Sequence, residues 1–204
     1  MKTYQILCID DDDQFLSSLE SSLPDKVTAL CGAFQCAFDF VTPPAEAMEV
    51  LASAAQRGLE PAMIISDQVM PGVSGIDLIE KIKADYPDLV CVLLTGHAGL
   101  ESAKYAINRH LLDQYVSKPI EDLQEFASLV ANLLRGHHLG LEERLRTSQL
   151  AETVEQLRQA NESVRAMQSA AEQVAMLSKN LKALDFDEIV KVVTYEVPRV
   201  FGAE

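Results

Sequence analysis

Five short apolar runs punctuate the first 135 residues, and each is followed by a stretch patterned like a helix. The runs fall near 4–9, 36–40, 62–66, 89–94 and 113–117. The helical patterns fall near 13–22, 43–57, 75–85, 100–108 and 121–135. Strands that alternate with helices make an α/β domain with a parallel sheet, because a parallel neighbour needs a long crossover. Ile6-Leu7-Cys8-Ile9, Ala62-Met63-Ile64-Ile65 and Val90-Cys91-Val92-Leu93-Leu94 are apolar without alternation, as strands covered on both faces are. The run at 36–40 alternates Cys36, Phe38 and Phe40 with Ala37 and Asp39. The run at 113–117 carries Asp113, Gln114 and Ser117. Those two are expected at the sheet edges. The doubly wound order 2-1-3-4-5 puts them there and opens a ligand crevice beyond the carboxyl ends of the first and third strands. Residues 27–35 have no assigned element.

Polar residues with chemistry stand at those strand ends. Ile64-Ile65-Ser66 runs into Asp67, and a loop with Pro71, Gly72 and Gly75 follows. The first strand runs into Asp10-Asp11-Asp12-Asp13, the fourth into Thr95, the fifth into Lys118. Carboxylate nucleophile, acidic cluster, hydroxyl and cation together suit an acyl-phosphate site, since phosphoryl transfer needs alignment and charge neutralisation. Mg2+ takes one or two carboxylates plus phosphate and water. Each residue also has a plainer role. An Asp after a strand caps the next helix, as Asp12 and Asp13 are expected to do. A lone Thr ends a strand, and a lone Lys is a solvated surface cation.

Composition narrows the classes. The 204 residues are 48% hydrophobic, enough for a core. No apolar run has the length of a membrane span, and Met1-Lys2-Thr3-Tyr4 leads into a strand without a signal-peptide core. Cys8, Cys31, Cys36 and Cys91 lack C-x-x-C spacing, and Cys8 and Cys91 read as core residues. A reducing, cytoplasmic setting is expected. The net charge of −14 disfavours nucleic acid as a partner.

Residues 1–135 resemble the receiver domain of two-component response regulators. The matching pieces are Ile9-Asp10-Asp11-Asp12, Ser66-Asp67-x-x-Met70-Pro71-x-x-x-Gly75, Leu94-Thr95-Gly96 and Lys118-Pro119. The resemblance implies a flavodoxin-like (βα)5 fold with Asp67 as phosphoacceptor. Mg2+, with Mn2+ as a substitute, would be held by Asp10, Asp11, Asp67 and the backbone carbonyl of Val69. Thr95 and Lys118 would contact the phosphoryl oxygens. Thr95 and Tyr115 would form a switch pair acting on the face built from 100–108, 113–117 and 121–135. Pro119 would follow a cis bond, and Val69 and His97 would tune the phosphoryl lifetime. The donor would be a histidine kinase or phosphotransfer protein, and the domain would not itself be an enzyme. Ala106 to Pro119 resembles a receiver subgroup joined to signalling enzymes, from which Ile120 departs.

Gly136-His137-His138-Leu139-Gly140 reads as a break or hinge. Residues 141–184 lack Gly and Pro. Val154, Leu157, Val164, Ala171, Val174, Leu181 and Leu184 follow 3/4 spacing, with Asn161 in the seam and phase shifts after Val164 and near Leu177. That predicts a long coiled-coil helix, dimeric and parallel, with Asn161 setting the register; a helix folded back on the first domain is the alternative. His137 and His138 lack the acidic residue of a phosphotransfer histidine. The tail from 185 to 204 resembles the opening helix of a GAF domain, so a downstream output domain is expected. Three segments are thus expected: 1–135, 136–184 and 185–204. The expected function is a phosphorylation-controlled switch read out through the helix. A dimerisation or scaffold module without phosphotransfer is the alternative.

Overall fold

The computed structural model describes residues 1–96, 107, 111–183, 186–191 and 194. The helix expected at 100–108 and His97 lie outside the described residues, apart from Ile107, as does most of the tail expected to resemble a GAF domain. Two compact units are present, Met1–Glu143 and Arg144–Glu204.

The first unit carries a five-stranded parallel sheet. Its strands are β1 (Thr3–Ile9), β2 (Gln35–Val41), β3 (Glu60–Asp67), β6 (Val90–Thr95) and β7 (Gln114–Ser117), in the order β2-β1-β3-β6-β7. The two-residue strands β4 (Val69–Met70) and β5 (Val73–Ser74) pair antiparallel within the loop after β3. Leaving those two out, the order is the expected 2-1-3-4-5, with the alternating and polar strands at the edges. The helices are α1 (Asp13–Leu30), α2 (Ala47–Ser53), α3 (Gly75–Asp85), α4 (Leu123–Ala183) and α5 (Phe186–Lys191).

The pleat sends successive side chains to opposite faces, and both faces are covered. Tyr4, Ile6 and Cys8 of β1, Met63 and Ile65 of β3, and Val92 and Leu94 of β6 pack with Leu16, Leu19, Leu23 and Val27 of α1 and with Phe126, Val130 and Leu134 of α4. The intervening Leu7, Ile9, Ile64, Cys91 and Leu93 pack with Leu51 of α2 and with Leu78, Ile79 and Ile82 of α3. This is why the three central runs are apolar without alternation.

Three local expectations are corrected. The first helix does not stop at residue 22 but continues through Pro24 to Leu30, because its buried stripe continues through Leu23 and Val27. Most of the unassigned stretch 27–35 is therefore helix and the start of β2. The second correction concerns the hinge at 136–140, which is continuous helix within α4. Each helical glycine costs about 1 kcal/mol relative to alanine. Tertiary contacts offset that cost here. The Tyr4 hydroxyl lies 2.8 Å from His138 Nδ1. Phe34 packs 5.0 Å from Tyr4 and 5.0 Å from His138, centroid to centroid. Arg135 Nη1 donates to the Leu30 carbonyl at 2.8 Å, and Leu141 packs against the same core. The second helical pattern is also broken up, with 3-10 turns at Pro44–Glu46 and Ala55–Arg57 around α2.

In the second unit, Val154, Leu157, Asn161, Val164 and Val174 are all exposed along α4. Among the described residues, no helix is long and apolar enough to cross a membrane.

Candidate functional site

Three carboxyl strand ends meet in one crevice. Asp10 follows β1, Asp67 closes β3, and Lys118 follows β7. Their positions follow from the register, which pairs Ile9 with Ser66 and Asp67 with Leu94. Lys118 Nζ lies 2.5 Å from Asp10 Oδ2 and 2.6 Å from Asp67 Oδ1. Asp10 is 1% exposed and Asp67 7% exposed, so water does little to screen the cluster. Two carboxylates share one ammonium, which leaves an excess negative charge.

Backbone donors hold the remaining oxygens. Val69 N–H donates to Asp67 Oδ2 at 2.6 Å, and Asp12 N–H donates to Asp10 Oδ1 at 3.0 Å. Burial pushes the Asp10 carboxyl above its usual value, against the lowering effect of its bonds to Lys118 and the Asp12 amide. Burial pulls the Lys118 ammonium down, but the hydrogen bonds to Asp10 and Asp67 outweigh it and leave it raised.

The loop after Asp67 is fixed from both sides. Gln68 N–H donates to the Leu94 carbonyl at 2.9 Å, and Gly75 N–H to the Gln68 carbonyl at 3.0 Å. A Cβ at Gly75 would stand 2.1 Å from the Asp67 carbonyl oxygen. Glycine is thus needed for α3 to start against the strand end. Gly72 takes φ +84°, the left-handed turn that reverses β4 into β5. Ser74 caps α3 through its hydroxyl, which accepts from Asp77 N–H at 3.2 Å.

The other expected residues are placed as follows. Thr95 ends β6 and is buried, and its hydroxyl donates to the Gly96 carbonyl at 3.0 Å rather than to a carboxylate. Asp11 is exposed at the rim, and Val69 is 73% exposed. The Lys118–Pro119 peptide is cis. Tyr115 is half-buried and packs against the cluster formed with α2 and α3. Asn161 is an exposed α4 residue of the second unit. Asp12 caps α1 by accepting from Gln14 N–H at 2.9 Å and Phe15 N–H at 3.1 Å. Sequence reasoning did not single out Phe15, whose ring centroid lies 4.3 Å from Lys118 Nζ. The steric role of Gly75 was also missed, although the glycine itself was part of the motif.

Among the described residues, no three His, Cys, Asp or Glu side chains are gathered as a metal cluster. Two carboxylates do converge on one cation, and Mg2+ asks no more of side chains when carbonyl, phosphate and water oxygens complete its shell. The donor set therefore fits.

The profile of the response regulator receiver domain matches residues 6–131. The chain belongs to that family. Its receiver domain is similar to the DNA-binding transcriptional regulator NtrC of Escherichia coli (strain K12), with 34% identity over 122 residues, 60% of this chain and 23% of NtrC. It is also similar to the transcriptional regulatory protein FixJ of Azorhizobium caulinodans, 29% identical over 89 residues, 44% of this chain and 42% of FixJ. Among solved structures, the signal receiver domain of an HD domain-containing protein from Pseudomonas fluorescens Pf-5 is 27% identical with TM-score 0.55, covering 70% of this chain and 94% of that one. An adenylate cyclase structure from Rhodopirellula baltica shares the receiver fold at 23% identity and TM-score 0.55, over 71% of this chain and 98% of that one. The chain spans about a quarter of the length of the NtrC proteins it matches first.

Proposed function

We propose that Asp67 accepts a phosphoryl group from a histidine kinase or phosphotransfer protein, and that the helix carries the resulting change to a downstream signalling domain. The observation that carries this reading is the bridge of Lys118 Nζ between Asp67 Oδ1 and Asp10 Oδ2. It holds a nucleophilic carboxylate, a second carboxylate and a cation on three strand ends, where backbone and core keep them aligned.

In the transfer, an Asp67 oxygen attacks the phosphorus of the donor phosphohistidine. The P–N bond breaks, its electron pair stays on the imidazole nitrogen, and an acyl phosphate remains on Asp67. Asp10, Asp11, Asp67 and the Val69 carbonyl would hold Mg2+, or Mn2+ in its place, which when bound neutralises charge on the transferring oxygens. Lys118 supplies a positive charge at those oxygens, and the Val69 N–H orients the carboxylate. The buried Thr95 hydroxyl would leave the Gly96 carbonyl for a phosphoryl oxygen, and Tyr115 would follow inward.

The exposed seam of Val154, Leu157, Val164 and Val174 supports pairing of α4 with a second copy as a parallel coiled coil, with Asn161 fixing the register. Segments 1–135, 136–184 and 185–204 then act as switch, transmitting helix and start of an output domain with GAF-like character. DNA binding is part of the description of NtrC; the charge of −14 on these 204 residues argues against carrying it over to them.

The test is intact-protein mass after acetyl phosphate and Mg2+, comparing wild type with Asp67→Asn, with oligomer size read under beryllofluoride. A phosphoryl adduct that needs both Asp67 and Mg2+ is expected, with a shift in oligomer size. A folded protein that takes no adduct would turn the reading to a scaffold or dimerisation module.

A further inference from the structure

We propose that Phe15 is a positioning residue for Lys118, holding the ammonium over the crevice by a cation–π contact when the carboxylates are engaged elsewhere. The inference rests on the phosphoacceptor reading and deepens it. Four observations form a closed ring. Lys118 Nζ meets Asp10 Oδ2 at 2.5 Å. Asp10 Oδ1 accepts the Asp12 N–H at 3.0 Å. Asp12 Oδ1 accepts the Phe15 N–H at 3.1 Å. The Phe15 ring centroid lies 4.3 Å from Lys118 Nζ. The acidic loop thus fixes the backbone from which the Phe15 ring projects, and the ring lies over the cation that the loop's own Asp10 binds.

The geometry separates this contact from ordinary core packing. Phe15 is half-buried beside the first core cluster, whereas Leu16 and Leu19 of the same helix are buried in it. An ammonium has three N–H donors, and two carboxylates take part of that capacity here. A divalent cation, if held by Asp10 and Asp67, would compete for those oxygens. The face of a phenyl ring attracts a cation without donating or accepting a conventional hydrogen bond, and it attracts more strongly where water is thin. Lys118 is 23% exposed at its side chain, so the contact is partly desolvated. The ring therefore keeps Lys118 at the site while its carboxylate partners change. Leucine at 15 would fill similar space with no such face.

The experiment is a double-mutant cycle on the full chain. Phe15→Leu is expected to lower the initial rate of phosphorylation by acetyl phosphate and Mg2+ about two- to fivefold. Phe15→Tyr is expected to keep the wild-type rate. In a Lys118→Ala background, Phe15→Leu should have no further effect, which a merely structural role would not produce. NMR gives a readout independent of phosphorylation: the Lys118 ε-methylene protons should be shifted upfield by the ring in wild type and Phe15→Tyr, and not in Phe15→Leu. An equal loss in both backgrounds, or no ring shift in wild type, would overturn the role of Phe15. A wild type that shows the ring shift but takes up no phosphoryl group would overturn the phosphoacceptor reading, and with it any catalytic consequence of the contact.

Discussion

Gly75→Ala should disable phosphoryl transfer by pushing on Asp67 from behind. The added Cβ would lie 2.1 Å from the Asp67 carbonyl oxygen and 2.9 Å from Leu93 Cδ1. The leucine can turn, but the carbonyl belongs to a central strand. Ordinary contact starts near 3.4 Å, so strand end and helix must separate by roughly 1.3 Å, a strain typical of overpacked cores at about 1–3 kcal/mol. At about 2–4 °C per kcal/mol for a chain of this size, Tm should fall by roughly 2–12 °C. Displacing a reacting group by ~1 Å costs on the order of a hundredfold in rate. The assay is adduct formation with acetyl phosphate and Mg2+, followed by intact mass, alongside a thermal melt. Gly72→Ala is the control. It is strained by φ +84° at about 1–2 kcal/mol, but its Cβ meets nothing within 4 Å. It should lose comparable stability and retain a rate within about threefold of wild type. A Gly75→Ala protein that phosphorylates like wild type, or a Gly72→Ala protein that is equally slow, would refute the steric argument.

Three further outcomes follow from other contacts. Asp10→Asn should raise Tm by about 2–4 °C while abolishing Mg2+-dependent phosphorylation, since it leaves one carboxylate for one ammonium. The pH dependence has a definite sign. Burial raises the Asp10 carboxyl in the folded state, so its contribution to stability is full below the unfolded value and is lost as pH rises through the folded one. The advantage of the variant should therefore grow as pH rises above about 4, the ordinary carboxyl value, and a gap in denaturant midpoint that stays flat would contradict this. Tyr4→Phe removes one partner of the hydrogen bond to His138 and should cost about 0.5–1.5 kcal/mol. Hydrogen exchange should then quicken around residues 136–141, where the glycines lie, and unchanged protection there would show that the bond is not what keeps α4 continuous. Asn161→Val should stabilise self-association of α4 and relax its register, read by concentration-dependent sedimentation and by cross-linking of cysteines placed on the seam; a monomeric chain in both forms would remove the coiled coil from the proposal.

The sheet was readable because its signal is periodic and local. A short apolar run without alternation, bounded by turn residues, fits a strand covered on both faces, and the runs holding Ile6, Ile64 and Val92 are such strands. The positions of Asp10, Asp67 and Thr95 followed at once, since a polar residue that ends such a run stands at the carboxyl edge of the sheet, and Lys118 followed from the polar edge strand beside them. The length of α1 was harder to read, because Pro24 is a local stop signal that the buried stripe through Val27 overrides.

Which groups meet was settled only by tertiary packing. Sequence alone places Asp10, Asp67 and Lys118 on three different strands; the parallel register brings their charged atoms within 2.6 Å of one another through Lys118. Gly136 and Gly140 read as a break because local propensity is all that a sequence window contains, and Tyr4 and Phe34, more than a hundred residues away, supply the contacts that keep the helix whole. Phe15 and Gly75 carried no legible role for the same reason. One works by facing a cation from the far end of the chain and the other by the atom it lacks, and both depend on neighbours that only the folded chain brings close.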